Sequence, residues 1–170
     1  MCQFSPDIEW TLLYRASQDG FEAKNFHSKC DSHRCRTLTI FKSSEPHSFI
    51  FGGYTECAWY GGATRKSSET KDPNAFVFSL TNRDGQPCRI RVSKEWSSMS
   101  IDCHVGCGPS FGIGDIYICD KANENANSYS DLGYAYKHPR YAHKSRGARE
   151  FLAGAHKFQL SEIEVYQRVE

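Results

Sequence analysis

The sequence of 170 residues has no excess of charge of either sign and no long apolar run. Its 21 Lys and Arg residues are balanced by 20 Asp and Glu residues, so no overall field favours nucleic acid as a partner. No apolar segment approaches the roughly 18 residues that a membrane-spanning helix needs. We therefore expect neither nucleic-acid binding nor membrane insertion.

The first residues, Met1-Cys2-Gln3-Phe4, lack the basic start and apolar stretch of a signal peptide. The protein is therefore either intracellular or secreted with its signal already removed. Its eight cysteines are many for a cytosolic domain of this size and favour secretion with at least one disulfide. Cys30 with Cys35, and Cys103 with Cys107, are close enough in sequence for a bridge, while the alternative is that several cysteines are buried thiols.

Common catalytic and cofactor motifs are absent. The glycines that begin at Gly106 miss the dinucleotide-binding spacing, because Phe111 stands at the third glycine position, and no Lys-Ser/Thr pair follows. Cys103 and Cys107 supply only two of the four ligands of a structural zinc site. Neither a G-x-S-x-G elbow nor an H-E-x-x-H helix occurs. We predict a protein that is not an enzyme.

The order of periodic segments predicts an α+β domain. The first 31 residues are predicted to be helical, with Ile8, Leu12 and Leu13 on one helical face and a second helix at about residues 21–30. The following segments alternate with a period of two and predict strands: 37–41, 49–51 ending in a bend at Gly52-Gly53, 75–80, 88–92, 116–119 and 158–166. Segments 75–80 and 88–92 should form a hairpin, and the last strand should close the sheet.

A long polar stretch lies between Cys119 and Phe158, and loops of this length are usually functional or partly disordered. Its first part, residues 120–128, is rich in carboxylate and amide oxygens, the ligands that calcium prefers, although the spacing is not that of an EF-hand. The predicted metal ligands are Asp120, Asn123, Glu124 and Asn125. The alternative is that these residues satisfy the backbone of turns.

A sugar site needs polar groups that pair with hydroxyls and, usually, an aromatic ring that covers the apolar face of the sugar. Asn125 and Asp131 are the predicted hydroxyl ligands, and Tyr134 or Tyr136 is the predicted stacking partner. These residues lie in or close to the oxygen-rich loop, residues 120–128, in sequence, which is compatible with one sugar site; the alternative is that the tyrosines belong to the core, where they would look the same from sequence.

Several motifs, in order, resemble TLDc domains and extend over nearly the whole chain. They are residues 10–17 (WTLLYRAS) with 19–21 (DGF), 51–54 (FGGY), 72–78 (DPNAFVF), 111–118 (FGIGDIYI), 127–133 (NSYSDLG) and 162–166 (EIEVY). The resemblance implies one domain over residues 1–170, a two-layer antiparallel β-sandwich with N-terminal helices packed on it, and no established enzymatic mechanism.

The resemblance leaves two functions open. Intracellular TLDc proteins are associated with oxidation resistance and with binding to the vacuolar proton pump. A bare, cysteine-rich domain also resembles secreted animal lectins, such as the calcium-dependent galactose-binding lectins of sea anemones. We predict a secreted calcium-dependent lectin, with galactose as the candidate sugar, that acts as a homodimer because cross-linking needs more than one site. The alternative is an intracellular TLDc interaction module in oxidative-stress defence or proton-pump regulation.

Overall fold

A computed structural model describes residues 8–31, 36–60 and 71–169 of the chain. Within these ranges the elements follow one another as β1 (Trp10–Arg15), α1 (Ala16–Asp19), α2 (Ala23–Cys30), β2 (Thr37–Ser43), β3 (Ile50–Thr55), β4 (Phe76–Ser79), β5 (Cys88–Arg91), a 3-10 helix (Lys94–Met99), β6 (Ile101–Asp102), β7 (Ser110–Phe111), β8 (Ser128–Tyr129), α3 (Arg146–Glu150), β9 (Lys157–Phe158) and β10 (Leu160–Arg168). None of the helices in these ranges is long and apolar enough to cross a membrane.

An antiparallel sheet of six strands, in the order β1-β10-β2-β3-β4-β5, forms the framework. The hairpin of β4 and β5 confirms the prediction from segments 75–80 and 88–92. The nine-residue alternation near the C-terminus is also a strand, but β10 lies between β1 and β2 instead of closing the sheet edge. The antiparallel sheets with short helices confirm the predicted α+β class.

Residues 10–15 form an edge strand, so the helix predicted at the start of the chain is wrong there. β1 pairs with β10 from Trp10 opposite Arg168 to Arg15 opposite Glu164, and the Arg15 guanidinium lies 2.8 Å from the Glu164 carboxylate. A short apolar run is compatible with the period of a helix and with that of a strand. Here the pairing with β10, from the other end of the chain, makes the run a strand. The second predicted helix is confirmed as α2, and Phe26 lies on its buried face.

β3 continues through Gly52 and Gly53, where a bend was predicted. A Cβ atom at Gly52 would lie 2.0 Å from the carbonyl oxygen of Thr39, and one at Gly53 would lie 2.5 Å from the Phe111 ring. The two glycines therefore allow the neighbouring strand and an aromatic ring to approach the backbone closely.

Two ribbons of two strands each, β6 with β7 and β8 with β9, pack on the large sheet. The ring centroid of Phe111 lies 5.7 Å from that of Trp59, and the centroid of Phe158 lies 5.6 Å from that of Phe51. Residues 116–119, predicted as a strand, form only isolated bridges, because their partners Phe111, Tyr129 and Cys107 lie on three different segments.

The stretch between Cys119 and Phe158 supplies a large part of the core. The sequence analysis described it as a functional or partly disordered loop and did not predict these core residues. Its fully buried side chains include Leu132, Tyr136, Phe151 and Leu152. The buried carboxylate of Asp115 fixes the backbone of this stretch, because it accepts hydrogen bonds from the N–H groups of all four residues 133–136, at 2.9–3.1 Å.

Candidate functional site

The oxygen-rich loop, residues 120–128, is anchored to α2 by its first residue. Oδ1 of Asp120 accepts a hydrogen bond of 2.7 Å from the backbone N–H of Ala23, at the start of that helix. A carboxylate at this position satisfies an N–H group that has no partner within the helix. One of the four predicted metal ligands therefore holds the loop against α2.

Asn125 holds the loop in its folded shape. Its amide oxygen accepts hydrogen bonds from the thiol of Cys119 at 3.1 Å and from the N–H of Asn127 at 3.0 Å. Its amide nitrogen donates to the carbonyl oxygens of Asp120 at 3.1 Å and Lys121 at 3.0 Å. Both N–H donors and both acceptor positions of the side chain are thus in use. Asn125 therefore fits the alternative given in the sequence analysis, in which these residues satisfy the backbone of a turn.

Asn123 and Glu124 are exposed and line an open groove between the loop and the helical corner of the chain. We call it the polar groove; its volume is about 460 Å³. Its walls are formed by Ala16, Ser17, Gly20, Phe21, Glu22, Asn25, Lys121, Asn123 and Glu124. The sharp corner between α1 and α2 shapes one wall, because Gly20 has φ of +98° and ends α1.

The side chains of Asn25, Asn123 and Glu124 form no hydrogen bond with any part of the chain that the structure describes. Glu22 is different, since its carboxylate lies 2.8 Å from Lys24 and 3.9 Å from Lys121. The hydrogen bond from Lys24 lowers the pKa of Glu22, and the positive charge of Lys121 contributes to the same shift. The groove therefore combines an anchored ionised carboxylate with three polar side chains available to a ligand.

The other predicted ligand-binding residues lie outside the polar groove. Tyr136 is fully buried and its hydroxyl donates to the carbonyl of Ser100 at 2.6 Å, so its ring has no face open to a ligand. Tyr134 is 37% exposed, and its ring centroid lies 4.6 Å from that of Trp96. The structure thus separates both tyrosines from Asn123 and Glu124, although all four are close in sequence.

Asp131 serves as an anchor for α3 and its surroundings. Its Oδ1 accepts a hydrogen bond of 2.8 Å from Nε of Arg149 and lies 3.3 Å from Nε2 of His156. The predicted hydroxyl ligand therefore has its charge balanced within the protein, and it is not among the residues that line the polar groove.

Calcium binding by Asp120, Asn123, Glu124 and Asn125 stays a prediction. The oxygens Oδ1 of Asp120 and Oδ1 of Asn125 already accept hydrogen bonds from the chain. Residues 8–31, 36–60 and 71–169 contain no group of three or more His, Cys, Asp or Glu side chains placed to hold a metal ion. Amide and carbonyl oxygens can also bind calcium, so a direct titration is the test.

Of the nine residues that line the groove, only Asn123 and Glu124 were predicted as site residues; Phe21, Glu22 and Asn25 are among those that were missed. All three lie on or beside the second predicted helix, and none carried a ligand signal of its own. They join the site because the corner at Gly20 turns α2 toward the oxygen-rich loop, where Asp120 fixes it. A contact between positions about 100 residues apart leaves no local pattern in the sequence.

The cysteines that the structure describes form no disulfide with one another. The predicted pair Cys103 and Cys107 is therefore not bonded in this structure. Cys35, the predicted partner of Cys30, lies outside the described residues, as does Cys2.

The comparison with known families agrees with the motifs and the fold. No curated protein shows a significant sequence match to the chain. The TLDc domain family matches residues 2–169, which is nearly the whole sequence. The chain therefore belongs to the TLDc family.

Proposed function

We propose that this TLDc domain is a binding module that holds a carbohydrate in the polar groove without transforming it. The observation that carries the proposal is the set of three unengaged polar side chains, on Asn25, Asn123 and Glu124, around one concave surface. Carboxamide and carboxylate groups form planar pairs of hydrogen bonds with neighbouring sugar hydroxyls. The partly buried ring of Phe21, in the same wall, offers an apolar surface for a face of the sugar ring.

The surrounding structure supports the proposal because it makes the groove rigid. Asp120 ties one wall to the other through Ala23, and Asn125 fixes the turn that carries Asn123 and Glu124. A ligand that enters such a site loses less free energy to the ordering of side chains and loops. The groove is open, which suits the terminal sugar of a larger glycan.

The proposal rests on direct hydrogen bonds between the groove side chains and the sugar hydroxyls. Dependence on calcium is an additional proposal, which these hydrogen bonds do not require. The secreted location, the homodimer and galactose as the sugar are proposals of the same kind. A homodimer would present two grooves and so allow cross-linking of glycans. Haemagglutination by the purified protein, with and without EDTA and competing galactose, tests the calcium dependence, the two sites per assembly and the sugar together.

The central test is glycan binding by the purified chain on an array, followed by calorimetric titration of the best ligand with calcium and with EDTA. Loss of one hydrogen bond of about 1 kcal/mol lowers affinity roughly fivefold. We expect such losses, up to about tenfold, for Asn123→Ala and Glu124→Gln. Recovery of the glycan unchanged after long incubation is the result expected of a module that only binds.

Asn127→Ala is the matched control, because Asn127 is an exposed asparagine of the same loop that does not line the groove. Its backbone N–H keeps its bond to Asn125 in the variant. An array without any bound glycan would contradict the proposal, and so would equal losses of affinity in Asn123→Ala and Asn127→Ala.

A further inference from the structure

Cys107 and Cys119 face each other across an isolated antiparallel bridge beneath the oxygen-rich loop. Both side chains are buried, with 1% of Cys107 and 7% of Cys119 exposed. The two residues are 12 positions apart, and the pairing was not predicted from the sequence, where Cys103 lies nearer to Cys107. Among the cysteines that the structure describes, this is the one pair placed opposite each other in a bridge.

The hydrogen bonds around the bridge define its type. The N–H of Gly108 donates to the carbonyl of Ile118 at 2.9 Å, beside the cysteine pair. The N–H groups of the cysteines themselves point elsewhere: that of Cys107 donates to His104 at 3.0 Å, and that of Cys119 donates to the Ser128 hydroxyl at 3.2 Å. The cysteines therefore form a non-hydrogen-bonded antiparallel pair.

This type of pair brings two side chains closest together in antiparallel strands. Its Cα atoms are typically about 4.5 Å apart. Disulfides need Cα separations of roughly 4.4–6.8 Å. A bond between Cys107 and Cys119 therefore requires rotation of side chains and little movement of the backbone.

We propose that Cys107 and Cys119 are a covalent modification site, which closes to a disulfide by exchange with a low-molecular-weight disulfide such as oxidised glutathione. One cysteine thiolate attacks a sulfur of oxidised glutathione, and a glutathione thiolate leaves. The other cysteine thiolate then attacks the protein sulfur of the mixed disulfide and releases a second glutathione. The two protein sulfurs are oxidised, the small disulfide is reduced to two thiols, and the protons of the protein thiols pass through solvent to the released glutathione.

The rate of this exchange depends on whether the two thiols are buried in the folded chain or accessible during folding. Thiols with so little exposure react slowly in the folded chain, because the attacking thiolate needs access to the oxidant. During folding both thiols are accessible, and formation of the bridge places them together. The reduced pair has its own partners, since Cys107 donates to the His104 carbonyl at 3.2 Å and Cys119 donates to Asn125.

The bond would link the segment 103–107 to the root of the oxygen-rich loop. It would also remove the thiol hydrogen that Cys119 donates to Asn125. The inference does not depend on the proposed sugar site, because it rests on the bridge alone.

The test is refolding of the full chain from urea in a buffer of reduced and oxidised glutathione, followed by alkylation of the remaining thiols. Cleavage before Asp102, Asp115 and Asp120 separates residues 102–114, with Cys103 and Cys107, from residues 115–119, with Cys119. Mass spectrometry without reduction should find these two peptides linked through Cys107, as located by fragmentation.

Variants assign the bond and give a second measurement. Cys103→Ser should keep the linked peptide, and Cys119→Ser should lose it while the new hydroxyl still donates to Asn125. The Tm of the wild-type chain and of Cys103→Ser should be higher after oxidative refolding than after reduction, with no such rise in Cys119→Ser. Recovery of residues 115–119 with Cys119 alkylated or carrying glutathione would overturn the inference, as would a peptide 102–114 closed on itself.

Discussion

The thiol of Cys119 donates a hydrogen bond of 3.1 Å to the side-chain oxygen of Asn125, and this contact ties the oxygen-rich loop to the segment that precedes it. The same amide holds the backbone of the turn at Asp120 and Lys121. One asparagine that looks like a ligand in the sequence thus serves the shape of the site, and its neighbours Asn123 and Glu124 are left for a ligand.

Asn125→Ala should destabilise the domain by about 1–3 kcal/mol, because the loop loses the hydrogen bonds that this amide makes with the Cys119 thiol, the Asn127 N–H and the carbonyls of Asp120 and Lys121. Urea unfolding measured by tryptophan fluorescence checks this value. Asn127→Ala is the control and should change the free energy of unfolding by less than about 0.5 kcal/mol. Equal stability of the two variants would show that the amide does not hold the loop.

Asp115→Ala should be among the most destabilising substitutions, with a loss of about 3 kcal/mol or more. The variant leaves the four N–H groups of residues 133–136 without their acceptor, and those of Ala135 and Tyr136 are buried. Asp115→Asn should also be destabilised, since its amide group brings a donor toward those donors. Thermal and urea unfolding check both variants, with the exposed Glu9→Gln as control; a loss below 1 kcal/mol in Asp115→Ala would contradict this role.

His27 gives the stability of the domain a predictable dependence on pH. Its Nδ1 lies 2.9 Å from the Asp31 carboxylate, and its Nε2 lies 3.2 Å and 3.1 Å from the carbonyl oxygens of His104 and Cys107. All three partners are acceptors, so both ring nitrogens need a proton. Burial lowers the pKa of His27, but the Asp31 carboxylate and the two carbonyls outweigh this effect, and the pKa is raised above its usual value.

A raised pKa in the folded state means that the stabilisation is complete below the unfolded pKa of about 6.5 and is lost as the pH rises through the folded pKa. The free energy of unfolding of the wild type should therefore fall, relative to His27→Gln, as the pH increases above about 6.5. Urea unfolding at several pH values between about 5.5 and 8.5 measures this difference. A difference that is constant or grows with pH would show that His27 is neutral in the folded protein.

Gly53→Ala should destabilise the domain by about 1–3 kcal/mol, because the added methyl group meets the Phe111 ring at 2.5 Å. The double variant Gly53→Ala with Phe111→Leu should lose less stability than the sum of the two single variants, since the smaller side chain leaves room. Thermal unfolding of the four proteins provides the comparison. Strict additivity would contradict a direct contact between this glycine and the ring.

Local patterns in the sequence predicted the elements whose pairing is also local. The alternating residues 76–79 and 88–91 pair as neighbours in sequence, joined by residues 80–87, and α2 carries Phe26 on its buried face. β1 could not be recognised in this way, because its apolar residues fit a helix as well and its partner β10 lies at the other end of the chain. Motif resemblance, which uses the whole length, identified the family that the comparison confirmed.

The candidate site was predictable only in part, for the same reason. The many side-chain oxygens of the oxygen-rich loop predicted Asn123 and Glu124 as ligands, and both residues line the groove. Composition could not distinguish them from Asn125, whose oxygens and hydrogens are used by the loop itself. The opposite wall is formed by the corner between α1 and α2. The hydrogen bond between Asp120 and Ala23 holds this corner against the oxygen-rich loop.

The most direct measurement of the central claim is an NMR titration of the isotopically labelled domain with the glycan that binds best on the array. If the polar groove holds the sugar, saturable shift changes will concentrate on the backbone amides of residues 20–25 and 121–124, and Asn123→Ala will weaken them while Asn127→Ala will not. Saturable changes centred on Trp96 and Tyr134 instead, or no saturable change at all, would contradict the account.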